Sequence, residues 1–587
     1  MSIRLQPCPK GHTQELDKVC PPRETVARVR AALEAFGEDV LAETRRIDTG
    51  RLGIPVYLSI CGESARRVMP TRKQMGKGAS AIQAEASALV ELAERFSFFS
   101  FWQSVQDVSP CSWSEAEGRW PGRVLPISEI GLSVSDALPD EQIKSLMDLL
   151  AWRFVPATRL DTGQEFFVPL EWFRKINEFN GSSAGNTPEE SILQGVCELV
   201  ERHVCAVVDR ERPKTPTLDP ASFTDPVLRE LMDAFKREGI VVVLKDFSLG
   251  LPVPTVAAVA HDPATFPGRS EIVFTAGTAS TPSKAAIRAL TEVAQLAGDF
   301  ETGSNYEASG LPKFSELAQM AWLLEGDAVP LSSLPDIGRG DILDELTELC
   351  GGLGRLGFLA YSVETTQPKL AIPAHYSFVP GFQFRERALN PSVGLFVGRM
   401  LAEEAPPEQA RAGLEHLARL YPDASFPLFF QGLLAVRQGS FAEALDALAR
   451  SELGLEQRDD QALAAFYQGY AMSQEERWTS CLPHLDRAIQ LCPEVKEYFN
   501  LRGVAKFKLG EYVGAEADFR SALDLDSGSA MDLANMGLCV KFQGRTEEAR
   551  ALLCSALELD PGLDFARTHL ADLQNGTPET EQKTAGL

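Results

Sequence analysis

"GKGASAIQAEASALVELAER", residues 76–95, is the stretch on which the reading of the chain turns. A glycine-rich turn leads into a helical pattern. At 100° per residue, Ser80, Ser87, Glu91, Glu94 and Arg95 share an arc of about 100°, with Leu89, Leu92, Ala93 and Phe96 opposite. The stretch predicts a helix whose polar stripe carries two carboxylates three residues apart.

The plan recurs in "NGSSAGNTPEESILQGVCELVERH", residues 180–203. Thr187 is placed to cap, Pro188 suits the first helical position, and Glu190 completes a predicted capping box. Glu190, Ser191, Gln194, Glu198, Glu201 and Arg202 then gather on one face, and Gly185 precedes Glu198 by the same thirteen residues that separate Gly78 from Glu91. A looser third copy, "TAGTASTPSKAAIRALTEVAQLAGDF" at 275–300, aligns Lys284, Arg288, Glu292 and Gln295. Three such helices could build one pocket. Clustered carboxylates suit a hard cation such as Mg2+, while arginine forks and helix N-termini suit phosphate oxygens, so an ATP site with magnesium is expected. Against this stands the plainer reading that Glu91–Arg95 and Glu198–Arg202 are i,i+4 pairs on solvated helix faces.

Other motifs are weaker. "GSSAG" (181–185) fits a nucleophile elbow centred on Ser183, but no buried strand is read before it. "GLGRLG" (352–357) follows a helical pattern and reads as a helix end and turn. There is no P-loop and no H-E-x-x-H, and His203 falls on the apolar side of its helix, as a core residue would.

The chain has 587 residues and a net charge of -25, so more than one domain is expected and a nucleic-acid partner is not. Eleven scattered cysteines without a C-x-x-C pair fit a reduced, cytoplasmic setting. No signal-peptide pattern or membrane-length apolar run is read, so no membrane association is expected.

Towards the C-terminus a period of 34 places Gly469, Gly503 and Gly537, then Ala488, Ala522 and Ala556, in phase; Pro493, Ser527 and Pro561 punctuate it. This is the tetratricopeptide (TPR) pattern, with a looser unit near Gly432 and a terminal capping helix. Before it, β-rich runs ("IPVYLSI", "IVVVLKDF", "PTVAAVA", "EIVFTAG", "FLAYSVETT") alternate with helical patterns, giving an α/β (α+β) domain. The expected division is an α/β domain over 1–392, a helical linker over 393–425, TPR-like repeats over 426–575 and a disordered tail over 576–587.

The segments "RLGIPVYLSI" (51–60), "GKGASAIQAEASALVELAER" (76–95), "NGSSAGNTPEESILQGVCELVER" (180–202), "RALTEVAQ" (288–295) and "VPG" (379–381) resemble, in order and spacing, those of the YcaO family. The resemblance implies an ATP-binding fold that phosphorylates a peptide backbone amide oxygen, leading to an azoline or a thioamide. It implies Mg2+ at Glu91, Glu94, Glu198 and Glu201, and nucleotide near Lys10, Ser87, Ser183, Asn186, Glu190, Arg202, Arg288 and Gln295. Azoline-forming members commonly end in a proline-rich tail where this chain continues into TPR helices. That favours the thioamide-forming branch, or the branch linked to methylthiolation of a ribosomal protein. A peptide or protein substrate is expected, with a separate partner on the TPR region, and the resemblance leaves room for a homodimer. The rival reading is a TPR adaptor with a nucleotide-binding or inactive YcaO-like domain.

Overall fold

The computed structural model describes residues 3–575, apart from 38, 49–50, 269, 271, 298–299, 301–313, 315, 386–390 and 527. The expected tail and Ser527 lie outside the described residues. The chain divides into two compact units, one of residues 1–144 and 151–392 and one of 145–150 and 393–587.

In the first unit, β1 (Leu41–Arg46), β2 (Val56–Cys61) and β3 (Lys73–Lys77) form a small sheet in that order. A second sheet begins with β4 (Phe154–Arg159), β5 (Glu165–Pro169) and β6 (Ser182–Ala184). The third contains β7 (Thr217–Leu218), β8 (Val241–Asp246), β9 (Thr255–His261), β10 (Val273–Thr278) and β11 (Ala328–Val329), ordered β10-β9-β8-β7-β11. β12 (Tyr361–Glu364) and β13 (Ala374–Phe378) complete the second as β5-β4-β12-β13-β6. The short β7–β11 pair is parallel, and the other described pairings are antiparallel. Each of the five apolar runs read as strands contains one.

The three patterned segments are helices, Ala81–Val105, Pro188–Glu211 and Pro282–Ala297. β9 shows how they are held. Ala257 and Val259 share a core with Val196 and Val200 of the second helix, while Val256, Ala258 and Ala260 share one with Leu290 and Val293 of the third. The period of two thus sends alternate side chains to helices on opposite faces, and every residue of β9 before His261 is buried. The first helix lies on β3, where a Cβ on Gly76 would stand 2.0 Å from Ala88 N and 2.3 Å from Ala84 O. Ser59 Oγ of β2 donates to Ala88 O at 2.8 Å, fixing the same contact.

In the second unit, helices Val393–Glu403 and Pro407–Leu420 precede four helical hairpins. These are Phe426–Arg437 with Phe441–Glu452, Arg458–Gln474 with Trp478–Leu491, Lys496–Lys508 with Tyr512–Leu525, and Ala530–Phe542 with Thr546–Leu559. Asp564–Asn575 closes the series. The periodic glycines have a steric reason. A Cβ would meet Leu485 at 2.9 Å from Gly469, Phe519 at 3.0 Å from Gly503 and Leu553 at 3.1 Å from Gly537. At the irregular Gly432 it would meet Leu448 at 2.6 Å. The unit is a TPR-type helical array. Among the described residues no helix is long and apolar enough to cross a membrane.

Candidate nucleotide and metal site

Each helix start is set by local chemistry. Ser80 caps the first helix through Gln83 N at 3.4 Å, and Thr187 caps the second through Glu190 N at 3.2 Å. The predicted capping box is only half formed. Glu190 does not reach back to Thr187; its carboxylate accepts from Asn186 Nδ2 at 3.1 and 3.2 Å and pairs with Lys18 Nζ at 3.0 Å. A charged partner from the N-terminal segment outcompetes a neutral backbone N–H.

The three polar stripes meet in a cavity of ≈ 300 Å³. Ser87, Glu91 and Glu94 come from the first helix, Glu190, Glu198, Glu201 and Arg202 from the second, and Arg288 and Gln295 from the third, with Asn186 at the turn. Two expected residues stand elsewhere. Ser183, on β6, is 1% exposed and lies beneath the turn, its Oγ 3.5 Å from Ser191 Oγ. Lys10 does not line the cavity; its Nζ is 2.9 Å from Asp17 and 2.5 Å from Glu345, a wall residue of a smaller adjoining cavity. With Ser183 buried, "GSSAG" presents no exposed nucleophile. "GLGRLG" closes helix Ile342–Arg355, with Gly357 at φ 88°. His203 stacks on Phe382 at 4.4 Å and accepts from Gln383 N at 3.0 Å, a packed side chain away from the carboxylates.

The cavity also holds Lys18, Lys77, Arg95, Gln194 and Glu292, which sequence reasoning did not place among the candidate ligands. Glu292, one turn after Arg288, was visible on the third stripe. Lys77 sat between the two glycines of the opening motif, and Arg95 closes E-L-x-E-R. Lys18 belongs to an irregular segment and left no periodic signal.

The electrostatics are those of crowded acids. Burial raises the Glu94 carboxyl to about 8, with Glu91 and Glu198 adding to the effect. Burial also raises Glu91 and Glu201. Arg95 lies 3.4 Å from Glu94 and 3.8 Å from Glu91, Arg202 lies 3.7 Å from Glu198, and Glu201 accepts from Thr278 N at 2.9 Å. Burial, with Arg288 nearby, brings the Lys77 ammonium down to about 7, and Lys77 pairs with Glu292.

These donors fit Mg2+. Among the described residues no three His, Cys, Asp or Glu side chains converge into a closed metal cage. The glutamates form a wall of hard oxygen donors instead, which suits an ion that keeps waters and shares its shell with phosphates. Arg288 Nη1 donates to Gln194 at 2.9 Å while its buried Nε has no hydrogen-bond partner among the described residues, a donor suited to an anion.

The family model described as YcaO cyclodehydratase, ATP- and Mg2+-binding, matches residues 75–383. The chain belongs to the YcaO family, whose cofactors are ATP and Mg2+. A protein from the tfuA 3′ region of Rhizobium leguminosarum bv. trifolii is 28% identical over 339 residues, covering 53% of this chain and 75% of the relative. The ribosomal protein S12 methylthiotransferase accessory factor YcaO of Escherichia coli (strain K12) is 28% identical over 213 residues, covering 32% of this chain and 35% of that protein. Among solved structures, a heterocyclase in complex with substrate and cofactor aligns with a TM-score of 0.50 at 19% identity, over 65% of this chain and 55% of the heterocyclase. That likeness is one of fold.

Proposed function

We propose that this chain uses ATP and Mg2+ to activate a backbone amide of a peptide or protein by O-phosphorylation. The observation that carries the reading is the meeting of Glu91, Glu94, Glu198 and Glu201 with Arg202, Arg288 and Gln295 in one cavity. Bound MgATP supplies an electrophilic phosphoryl group whose transfer makes the amide oxygen a good leaving group. The four glutamates would hold the metal, and Arg202 and Arg288 would bind the phosphates. Asn186 and Glu190 fix the turn between β6 and the second helix, while Ser183 supports it from below.

The downstream product is a thioamide or an azoline, or the activation assists methylthiolation of a ribosomal protein. A separate partner acting in trans belongs to this reading, and the name of the Escherichia coli accessory factor supports its ribosomal branch. The TPR hairpins would recruit the substrate or that partner.

The test is calorimetric titration of MgATP into the full chain and into Glu198→Gln/Glu201→Gln. The wild type is expected to bind with a magnesium dependence that the double variant loses. A folded wild type that fails to bind would sink the reading.

A further inference from the structure

The G-K-G of residues 76–78 is built around its lysine. A Cβ on Gly76 would collide with the backbone at Ala88 and Ala84, and one on Gly78 would stand 2.7 Å from Gln83 Cγ and 2.8 Å from Ala84 N. Both glycines therefore press the end of β3 onto the first helix, so Lys77 enters the cavity wall from a rigid support. There it pairs with Glu292 of the third helix.

The two adjoining cavities share Leu16, Lys18, Glu190, Gln194 and Arg288. From that common stretch the smaller runs on to Leu193, Cys197, Ala279 and Ile342 together with Ser280, Lys284 and Glu345, a wall of mixed character with no cluster of carboxylates. The larger runs on to the four glutamates, Lys77 and Glu292. A nucleoside triphosphate is arranged alike, with a base of apolar faces and hydrogen-bonding edges at one end and a metal-bound phosphate chain at the other. Laid along the two cavities, its terminal phosphate falls at the acidic end. Arg288 belongs to the shared middle, Arg202 has a side chain 46% exposed at the rim, and Arg95 is tied to Glu91 and Glu94 with Phe179 5.2 Å from its guanidinium. Among the described residues lining the acidic end, Lys77 is the cation whose acidic partner, Glu292, is not one of the four glutamates expected to hold the metal.

We propose, resting on the ATP reading above, that Lys77 contacts the terminal phosphate of the bound nucleotide, that Glu292 positions its ammonium beforehand, and that this contact distinguishes a triphosphate from a diphosphate. An ammonium is a compact charge suited to one phosphate oxygen.

The test is calorimetric titration of MgADP and of the magnesium complex of a β,γ-methylene ATP analogue into full-length wild type, Lys77→Gln and Lys77→Arg. Lys77→Gln is expected to weaken the triphosphate analogue by about 10- to 100-fold while leaving MgADP within about threefold, with partial recovery in Lys77→Arg. Retained MgADP binding also reports a folded site. Equal weakening of both ligands, or no change in either, overturns this inference and leaves the ATP reading standing. A wild type that binds neither nucleotide overturns both. Where Lys77→Gln does not fold, Lys77→Arg decides: its altered reach must lower the triphosphate-to-diphosphate preference at least threefold, and an unchanged preference overturns the inference.

Discussion

His375 Nδ1 on β13 lies 3.0 Å from Ser191 Oγ, and Ser191 Oγ in turn donates to Ser183 O at 3.0 Å. The single hydroxyl proton of Ser191 is used on Ser183, so the imidazole must donate from Nδ1. His375 also stands directly across from Ser183 in the β13–β6 register. A neutral histidine of fixed tautomer thereby clamps the strand that leads into the Asn186 turn.

Burial lowers the His375 pKa to about 3, and the residue is 1% exposed. The unfolded chain takes up a proton near pH 6.5 that the folded chain refuses until about 3. Stability is therefore fully present above the unfolded value and falls by about 1.4 kcal/mol per pH unit as acid is added between them. Urea unfolding at pH 7 and pH 5 should show this loss in the wild type and lack the His375 share in His375→Gln. Equal slopes in the two proteins would contradict the assignment.

Gly76→Ala should destabilise the first unit by about 3 kcal/mol or more, because the new methyl group meets helix backbone that has no rotamer to move. Gly118→Ala is the matched control. Gly118 sits in helix Trp113–Arg119 with nothing within 4 Å of its Cβ direction, so alanine should be neutral or stabilise by up to about 1 kcal/mol. Thermal unfolding of both variants checks the contrast.

Much of this was legible in the sequence because it is local or periodic. The 34-residue spacing of Gly469, Gly503 and Gly537 mirrors that of Leu485, Phe519 and Leu553, against which the glycines pack. Glu91 and Glu94, and Glu198 and Glu201, repeat within one helix turn, so their stripes could be drawn before any fold was known. The fate of Glu190 could not be drawn. Thr187-x-x-Glu190 reads as a capping box by local rules, and only the fold brings up Lys18 to draw the carboxylate away. That Ser183 and Lys10 stand behind the cavity wall was hidden for the same reason. Whether a residue lines a cavity or stands one layer behind it depends on how the sheets stack, and no short-range pattern records that.

Asp225 should act as a strong cap. Its Oδ1 accepts from Val227 N at 2.9 Å and Leu228 N at 3.1 Å at the start of helix Pro226–Arg237. Asp225→Ala is expected to cost about 1 kcal/mol, and Asp225→Asn to recover most of it, by chemical denaturation. A loss that Asn fails to recover would mean that the carboxylate charge matters more than the acceptor.

Lys245, 0% exposed on β8, donates to Thr217 Oγ1 at 2.8 Å and to Glu325 O at 2.7 Å, two neutral acceptors. Burial, helped by Lys214, lowers its pKa from 10.5 to about 8. Between those values the unfolded chain binds the proton that the folded chain has lost, so stability rises with pH across the interval. Below about pH 8 both states are protonated and the full cost of the buried charge is present. Lys245→Met removes this titration along with both hydrogen bonds, and the lost hydrogen bonds shift the stability of the variant by an amount independent of pH. The quantity to measure is therefore the difference between wild type and Lys245→Met at pH 7.5 and again at pH 10. The wild type should gain on the variant by about 1.4 kcal/mol per pH unit within the interval. A difference that stays constant would show that Lys245 keeps its proton throughout, held by the two oxygens more firmly than burial disfavours it.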